Sequence, residues 1–131
     1  MNIAVRYYSR SGNTKLLAEA IAKGVGAEAI SVDEGNGEIT NPVDVLFIGG
    51  ALYAYGLDKH LKEYLNSLDS NKVKKAVVFS TSWLSKHSID LIKKSLEQKG
   101  INVEEEYCYA KSTPSDTDLS AAEEFSKKMI K

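Results

Sequence analysis

Short apolar runs and helical stripes alternate along the whole chain, and this alternation narrows the available folds more than any other feature. Ile3-Ala4-Val5 opens a strand running to about Tyr8. Leu16, Leu17, Ala20 and Ile21 then recur at helical spacing, with Gly24 and Gly26 placed to stop the helix. Ala29 to Val32 reads as a weaker second strand. Val43 to Ile48 is apolar except for Asp44, as befits a strand covered on both faces of a parallel sheet, and Gly49-Gly50 is expected to end it. Leu57, Leu61, Tyr64, Leu65 and Leu68 share one helical face. Ala76 to Phe79 is a fourth strand, and Ile89, Ile92 and Leu96 mark a helix stopped at Gly100. Residues 101–110 read as a fifth strand, with Glu104-Glu105-Glu106 near its start as a solvated edge. Leu119, Ala122, Phe125 and Met129 close the chain on a helix, with Asp116, Thr117 and Asp118 as candidate N-caps. Between Asp33 and Pro42 the turn formers Gly35, Asn36, Gly37 and Asn41 leave no room for an amphipathic helix.

Parallel neighbours need crossovers, so the pattern predicts an α/β three-layer sandwich with a five-stranded parallel sheet in the order 2-1-3-4-5. The helix between strands two and three is expected to be missing. The 131 residues amount to one domain, 1–131. A formal charge of −1, with 43% hydrophobic residues, disfavours disorder and a nucleic-acid partner. The charge gradient is mild, net −3 over residues 1–69 and net +2 over 70–131. No apolar run approaches the roughly 20 residues of a membrane span, and the N-terminus lacks a secretory pattern, so a cytoplasmic location without membrane attachment is expected. The single cysteine, Cys108, makes no internal disulfide and reads as a small buried hydrophobe. His60 and His87 show neither metal-ligand spacing nor a carboxylate partner at a diagnostic distance, so no metal site and no catalytic side chain is assigned.

In sheets of this kind ligands bind beyond the carboxyl ends of the strands, at the switch point of the topology. Three loops lie there. The first, Ser9-Arg10-Ser11-Gly12-Asn13-Thr14-Lys15, runs directly into a helix. Helix-start amides and the positive end of the dipole make an anion site that hydroxyls can complete. A capped tight turn accounts for the same residue types, and composition does not separate the two. Neither a P-loop nor a GxGxxG is present. The second loop, Gly49 to Gly56, sets Ala51, Leu52, Tyr53, Ala54 and Tyr55 among glycines, where an aromatic can cover a planar ring or simply pack. The third, Ser80-Thr81-Ser82-Trp83-Leu84-Ser85, holds the one tryptophan, suited to ring stacking or to an inward, lid-like fold.

Ser9-x-Ser11-Gly12-Asn13-Thr14 after an N-terminal strand resembles the phosphate loop of the flavodoxin family. The Gly49 to Tyr53 stretch is similar to the G-x-x-x-Y of compact flavodoxin-like proteins and FMN reductases. The third loop lacks the Gly-Asp pair common in flavodoxins. The resemblance implies a flavodoxin-like fold holding FMN noncovalently. Side chains of Ser9, Ser11, Asn13 and Thr14, with backbone of Arg10 and Gly12, would wrap the phosphate. Ala51, Leu52, Tyr53, Ala54, Thr81, Ser82, Trp83 and Leu84 would flank the ring, and Lys15 would be solvated.

The function so implied is electron transfer between redox partner proteins, a reductase and an acceptor, by a monomer or weak dimer. The charge of −1 contrasts with the acidic surfaces of many flavodoxins, so recognition by shape or a small local patch is expected. The alternative is an FMN-dependent NAD(P)H reductase of quinones or other small acceptors, distinguished by steady-state nicotinamide oxidation. A flavin-free interaction domain on the same scaffold is a third class, since fold does not fix function.

Overall fold

The computed structural model describes residues 1–53, 56–82 and 85–131. Its elements alternate as the sequence predicts: β1 (Ile3–Tyr7), α1 (Asn13–Val25), β2 (Ala29–Ser31), β3 (Val45–Tyr53), β4 (Gly56–Leu57), α2 (Lys59–Ser67), a 3-10 turn (Ser70–Lys72), β5 (Ala76–Thr81), α3 (His87–Gln98), β6 (Cys108–Ala110) and α4 (Asp116–Met129). The sheet runs β2-β1-β3-β5-β6, all parallel, which is the predicted order of five strands. β4 is an addition, pairing antiparallel with the end of β3.

Alternate residues of the central strands feed two cores. Ala4, Leu46, Ile48 and Val78 face α2 and α3, meeting Leu61, Leu65, Ile89, Ile92 and Leu96. Val5, Phe47, Val77 and Phe79 face α1 and α4, meeting Leu17, Ile21, Ala122 and Met129. Each such large side chain contributes about 1.5–3 kcal/mol by leaving water, so the central strands anchor whatever their ends carry.

Several local expectations are corrected. Gly49 and Gly50 do not end the strand; β3 passes through them to Tyr53. A Cβ at Gly49 would lie 2.3 Å from the Phe79 carbonyl oxygen, and one at Gly50 would lie 2.5 Å from Leu61. Their role is close approach rather than termination. Gly24 does not stop α1 either, because the left-handed residue is Gly26, at φ 69°. The fifth strand shrinks from residues 101–110 to Cys108–Ala110, with only an isolated bridge from Val103 to Ala76 upstream. Glu104 and Glu106 instead pair with Lys75 and Lys128. The N-cap of α4 is Ser115, in a reciprocal capping box with Asp118.

No helix forms between β2 and β3, as the turn formers predict. A buried arginine helps close that face. Arg6, on β1 and only 8% exposed, donates from Nε to the Gly37 carbonyl at 2.7 Å, and the Tyr64 hydroxyl donates to the same oxygen at 2.6 Å. Val32 and Ile39 pack beside them against the α2–α3 core. Among the described residues, no helix is long and apolar enough to cross a membrane.

α1 and α4 approach closely at Gly24, where a Cβ would stand 2.4 Å from the Glu123 carbonyl oxygen and 2.1 Å from Ser126 Oγ. Gly24→Val is therefore expected to destabilise the fold by about 1–3 kcal/mol through overpacking, read as a lowered urea midpoint at unchanged m. An unchanged midpoint would mean that α1 and α4 do not meet there.

Candidate functional site

The register of the sheet brings the three loops to one edge. Tyr7 lies opposite Gly49, Gly49 opposite Phe79, and Ala51 opposite Thr81, so β1, β3 and β5 finish as neighbours. β3 runs furthest and turns back, with Leu52 opposite Leu57 and Tyr53 opposite Gly56.

In the first loop, Gly12 adopts φ 94°, a left-handed geometry that glycine takes without steric cost, and serves as the N-cap of α1. Ser9 Oγ accepts from the Gly12 amide at 3.0 Å, and Ser11 Oγ from the Asn13 amide at 3.4 Å. The Leu16 amide donates to the Gly12 carbonyl at 3.1 Å. The amides of Thr14 and Lys15 have no acceptor among the described residues, and the first turn carries no acidic side chain. Two open donors at the positive end of a helix are what an anion needs. Asn13 Oδ1 accepts from the Thr113 hydroxyl at 3.2 Å, drawing the segment after β6 to the same loop. Lys15 is exposed, as expected.

Thr14 and Thr81 are each 1% exposed and share a hydrogen bond between hydroxyls at 2.6 Å. This bond joins the first loop to the end of β5. Ser82, also buried, donates its amide to the Ala110 carbonyl at 3.3 Å and accepts from the Tyr109 hydroxyl at its own carbonyl. Ser80 Oγ donates to the Gly50 carbonyl at 2.6 Å, locking β5 to β3 below the edge. Ala51, Leu52 and Tyr53 are half-buried at the end of β3. The assignments at Ala54, Trp83 and Leu84, with Tyr55, lie outside the described residues.

Two features were not legible in advance. Arg10, assigned through its backbone, also uses its side chain. Its guanidinium carbon sits 4.1 Å from the Tyr53 ring centroid, while Nε and Nη2 reach Asp58 Oδ2 at 2.9 and 2.5 Å. His60 does have a carboxylate partner: Asp58 Oδ1 accepts from the His60 amide at 2.7 Å and lies 2.9 Å from its Nδ1. The reason is local, because Asp58 is the N-cap of α2 and its side chain faces the second helical residue. The His60 ring stacks on Tyr8 at 4.8 Å and 11°. An Asp just before a helical stripe was the available signal; its burial, and its reach to Arg10 across 48 residues of chain, depend on the folded sheet edge.

Burial of Asp58 pushes its carboxyl upward. The His60 amide and ring, then the Arg10 guanidinium, outweigh that and hold it below the ordinary carboxylate value. The Tyr53 phenol is raised, first by burial, with Arg10 opposing. Cys108, half-buried beside this edge, has its thiol pushed up to about 12, mainly by burial and then by Asp118. Among the described residues, no group of three or more His, Cys, Asp or Glu could hold a metal ion. A hollow of about 460 Å³ opens elsewhere, between residues 32–39 and α2, remote from the hydroxyls and amides gathered at the edge.

The family model for the flavodoxin domain matches residues 4–131. The chain belongs to the flavodoxin family. It is 30% identical over 144 residues to the putative diflavin flavoprotein A 2 of Thermosynechococcus vestitus, covering 98% of this chain but only 25% of that protein. It spans a quarter of that relative's length. An uncharacterized protein of Methanocaldococcus jannaschii is 27% identical over 139 residues, with 91% of each chain covered. Among solved structures, oxidised flavodoxin 1 of Bacillus cereus superposes with a TM-score of 0.78 at 23% identity, covering 98% of this chain and 97% of that one. Flavodoxins bind FMN, and FMN is the cofactor that membership assigns. The first loop of this flavodoxin domain fits the phosphate of that cofactor: a left-handed glycine, open helix-start amides and no competing carboxylate in the first turn.

The depressed Asp58 carboxyl makes its ion pair a source of stability present above the unfolded pKa, about 4, and lost as pH falls through the lower folded value. Asp58→Asn keeps the helix cap but not the charge. The stability difference between wild type and this variant should be present at neutral pH and close below about pH 4. A gap that persists in acid would remove the ion pair from the account. The raised thiol makes a second expectation: at pH 8, native Cys108 should react with iodoacetamide far more slowly than after unfolding in urea. Equal rates would contradict the burial assigned to it.

Proposed function

We propose that this flavodoxin domain holds FMN noncovalently at the C-terminal edge of β1, β3 and β5 and passes electrons between redox partner proteins. The observation that carries the reading is the convergence of three separate loops: Thr14 bonded to Thr81, and Arg10 seated on Tyr53, join segments far apart in sequence. The resemblance to a protein named as a diflavin flavoprotein is consistent with a flavin in a module of this kind.

The roles follow from the positions. Ser9, Ser11, Asn13 and Thr14, with the amides from Gly12 onward, would grip the phosphate through neutral donors and the helix dipole. Thr14 would do so from a side chain already fixed by Thr81. Ala51, Leu52 and Tyr53, with Thr81 and Ser82, would flank the ring; Ala54, Trp83 and Leu84 are placed with them by sequence. Bound FMN would supply the electron chemistry, and the chain would supply binding, orientation and the polarity around the ring. No side chain is required as acid or base, which favours a carrier. The partner would recognise a nearly neutral molecule, so docking would depend on shape more than on long-range steering.

The test is paired titration with FMN and riboflavin, which differ by the phosphate. Hydrogen bonds to a charged group are worth about 1.5–3 kcal/mol, so Ser11→Ala and Thr14→Ala, each removing one such bond, should each weaken FMN roughly ten- to a hundredfold and riboflavin little. Equal loss for both ligands would remove the phosphate role from this loop.

A further inference from the structure

The Arg10 side chain has no assigned task in the phosphate grip, and although it is 45% exposed it is held at the edge from two sides. Its guanidinium lies on the Tyr53 ring at 4.1 Å and is fixed from behind by Asp58, whose side chain is only 5% exposed. Asp58 is fixed in turn, capping α2 through the His60 amide and meeting the His60 ring, which stacks on Tyr8. A planar cation between a buried carboxylate and an aromatic face has few rotamers open to it, so it holds the ring against it in one plane. Tyr53 belongs to the half-buried end of β3, on the ring side of the proposed cofactor site, whereas Arg10 departs from the loop on the phosphate side.

We propose that Asp58, Arg10 and Tyr53 form a clamp in which Arg10 acts as a ring-side positioning residue, setting the orientation of Tyr53 against the isoalloxazine. The Arg10 side chain is then not a phosphate ligand, and its partner Asp58 is part of the flavin site although it lies outside all three loops' binding motifs. The raised Tyr53 phenol agrees with this placement, since burial of the ring is its first cause. The clamp rests on the FMN reading above, and it makes a prediction opposite in kind to that for Ser11 and Thr14. Loss of a phosphate contact is felt by FMN alone, whereas loss of a ring-positioning contact is felt by every flavin.

The experiment measures FMN and riboflavin affinity, together with the visible circular dichroism of the bound flavin, for wild type, Arg10→Gln, Asp58→Asn, the double variant and Arg10→Lys. Arg10→Gln and Asp58→Asn should each weaken both ligands by a similar factor, about five- to twentyfold, and alter the flavin dichroism in the same way. The double variant should be no weaker than either single one, because both break the same clamp. Arg10→Lys should fail to restore the dichroism, since a point charge lacks the flat face and the paired nitrogens. A loss confined to FMN would make Arg10 a phosphate ligand and overturn the proposal, as would additive losses or an unaltered dichroism. Failure of the wild type to bind either flavin would instead sink the FMN reading itself.

Discussion

Everything at the candidate site depends on the parallel pairing of β1, β3 and β5, three strands covered on both faces. The apolar residues that bury them have no freedom to shift by one position, because a one-residue slip would exchange the two cores. Phe47 would then face α2 and α3, and Leu46 would face α1 and α4. Register is thus fixed by burial, and the loop positions follow. The hydroxyls of Thr14 and Thr81 meet because the strand ends are already aligned, and the anion-ready start of α1 opens at the same level.

On this rigid base the polar groups divide the labour. Neutral donors and a helix start occupy the first loop, a means of holding a dianion without placing a cation on it. The charged groups are drawn aside: Arg10 is turned toward Tyr53 and Asp58, leaving the helix start to the amides of Thr14 and Lys15. Glycine appears where backbones must approach, at Gly49 beneath Phe79 and at Gly24 against α4, and at Gly12 where the chain turns left-handed into α1. The face left by the absent helix is closed by Arg6 and Tyr64 meeting at the Gly37 carbonyl.

Much of this was legible in the sequence, for a physical reason. Burial on both faces writes itself as continuous apolar runs at Val45–Ile48 and Ala76–Phe79, and amphipathic helices write themselves as stripes, so element order and sheet order could be read. Element ends were harder. Gly49-Gly50 reads as a stop in one dimension and as a close crossing in three, and the glutamates before Tyr107 have strand-like spacing, yet Glu104 and Glu106 pair with lysines and only an isolated bridge forms there. The first loop was visible because its parts are contiguous. The Arg10–Asp58–His60 group was not, since Arg10 lies 48 residues from Asp58 and reaches it only at the folded edge. Arg6 was hidden for the opposite reason: an arginine within a short apolar strand gives no local sign that it is buried.

Amide hydrogen exchange of the purified protein with and without FMN tests the central claim most directly. The account predicts added protection at residues 9–16, 51–53 and 80–82, three segments remote in sequence, with little change in the hollow beside α2. Protection limited to one of these segments, or centred on residues 32–39, would contradict it.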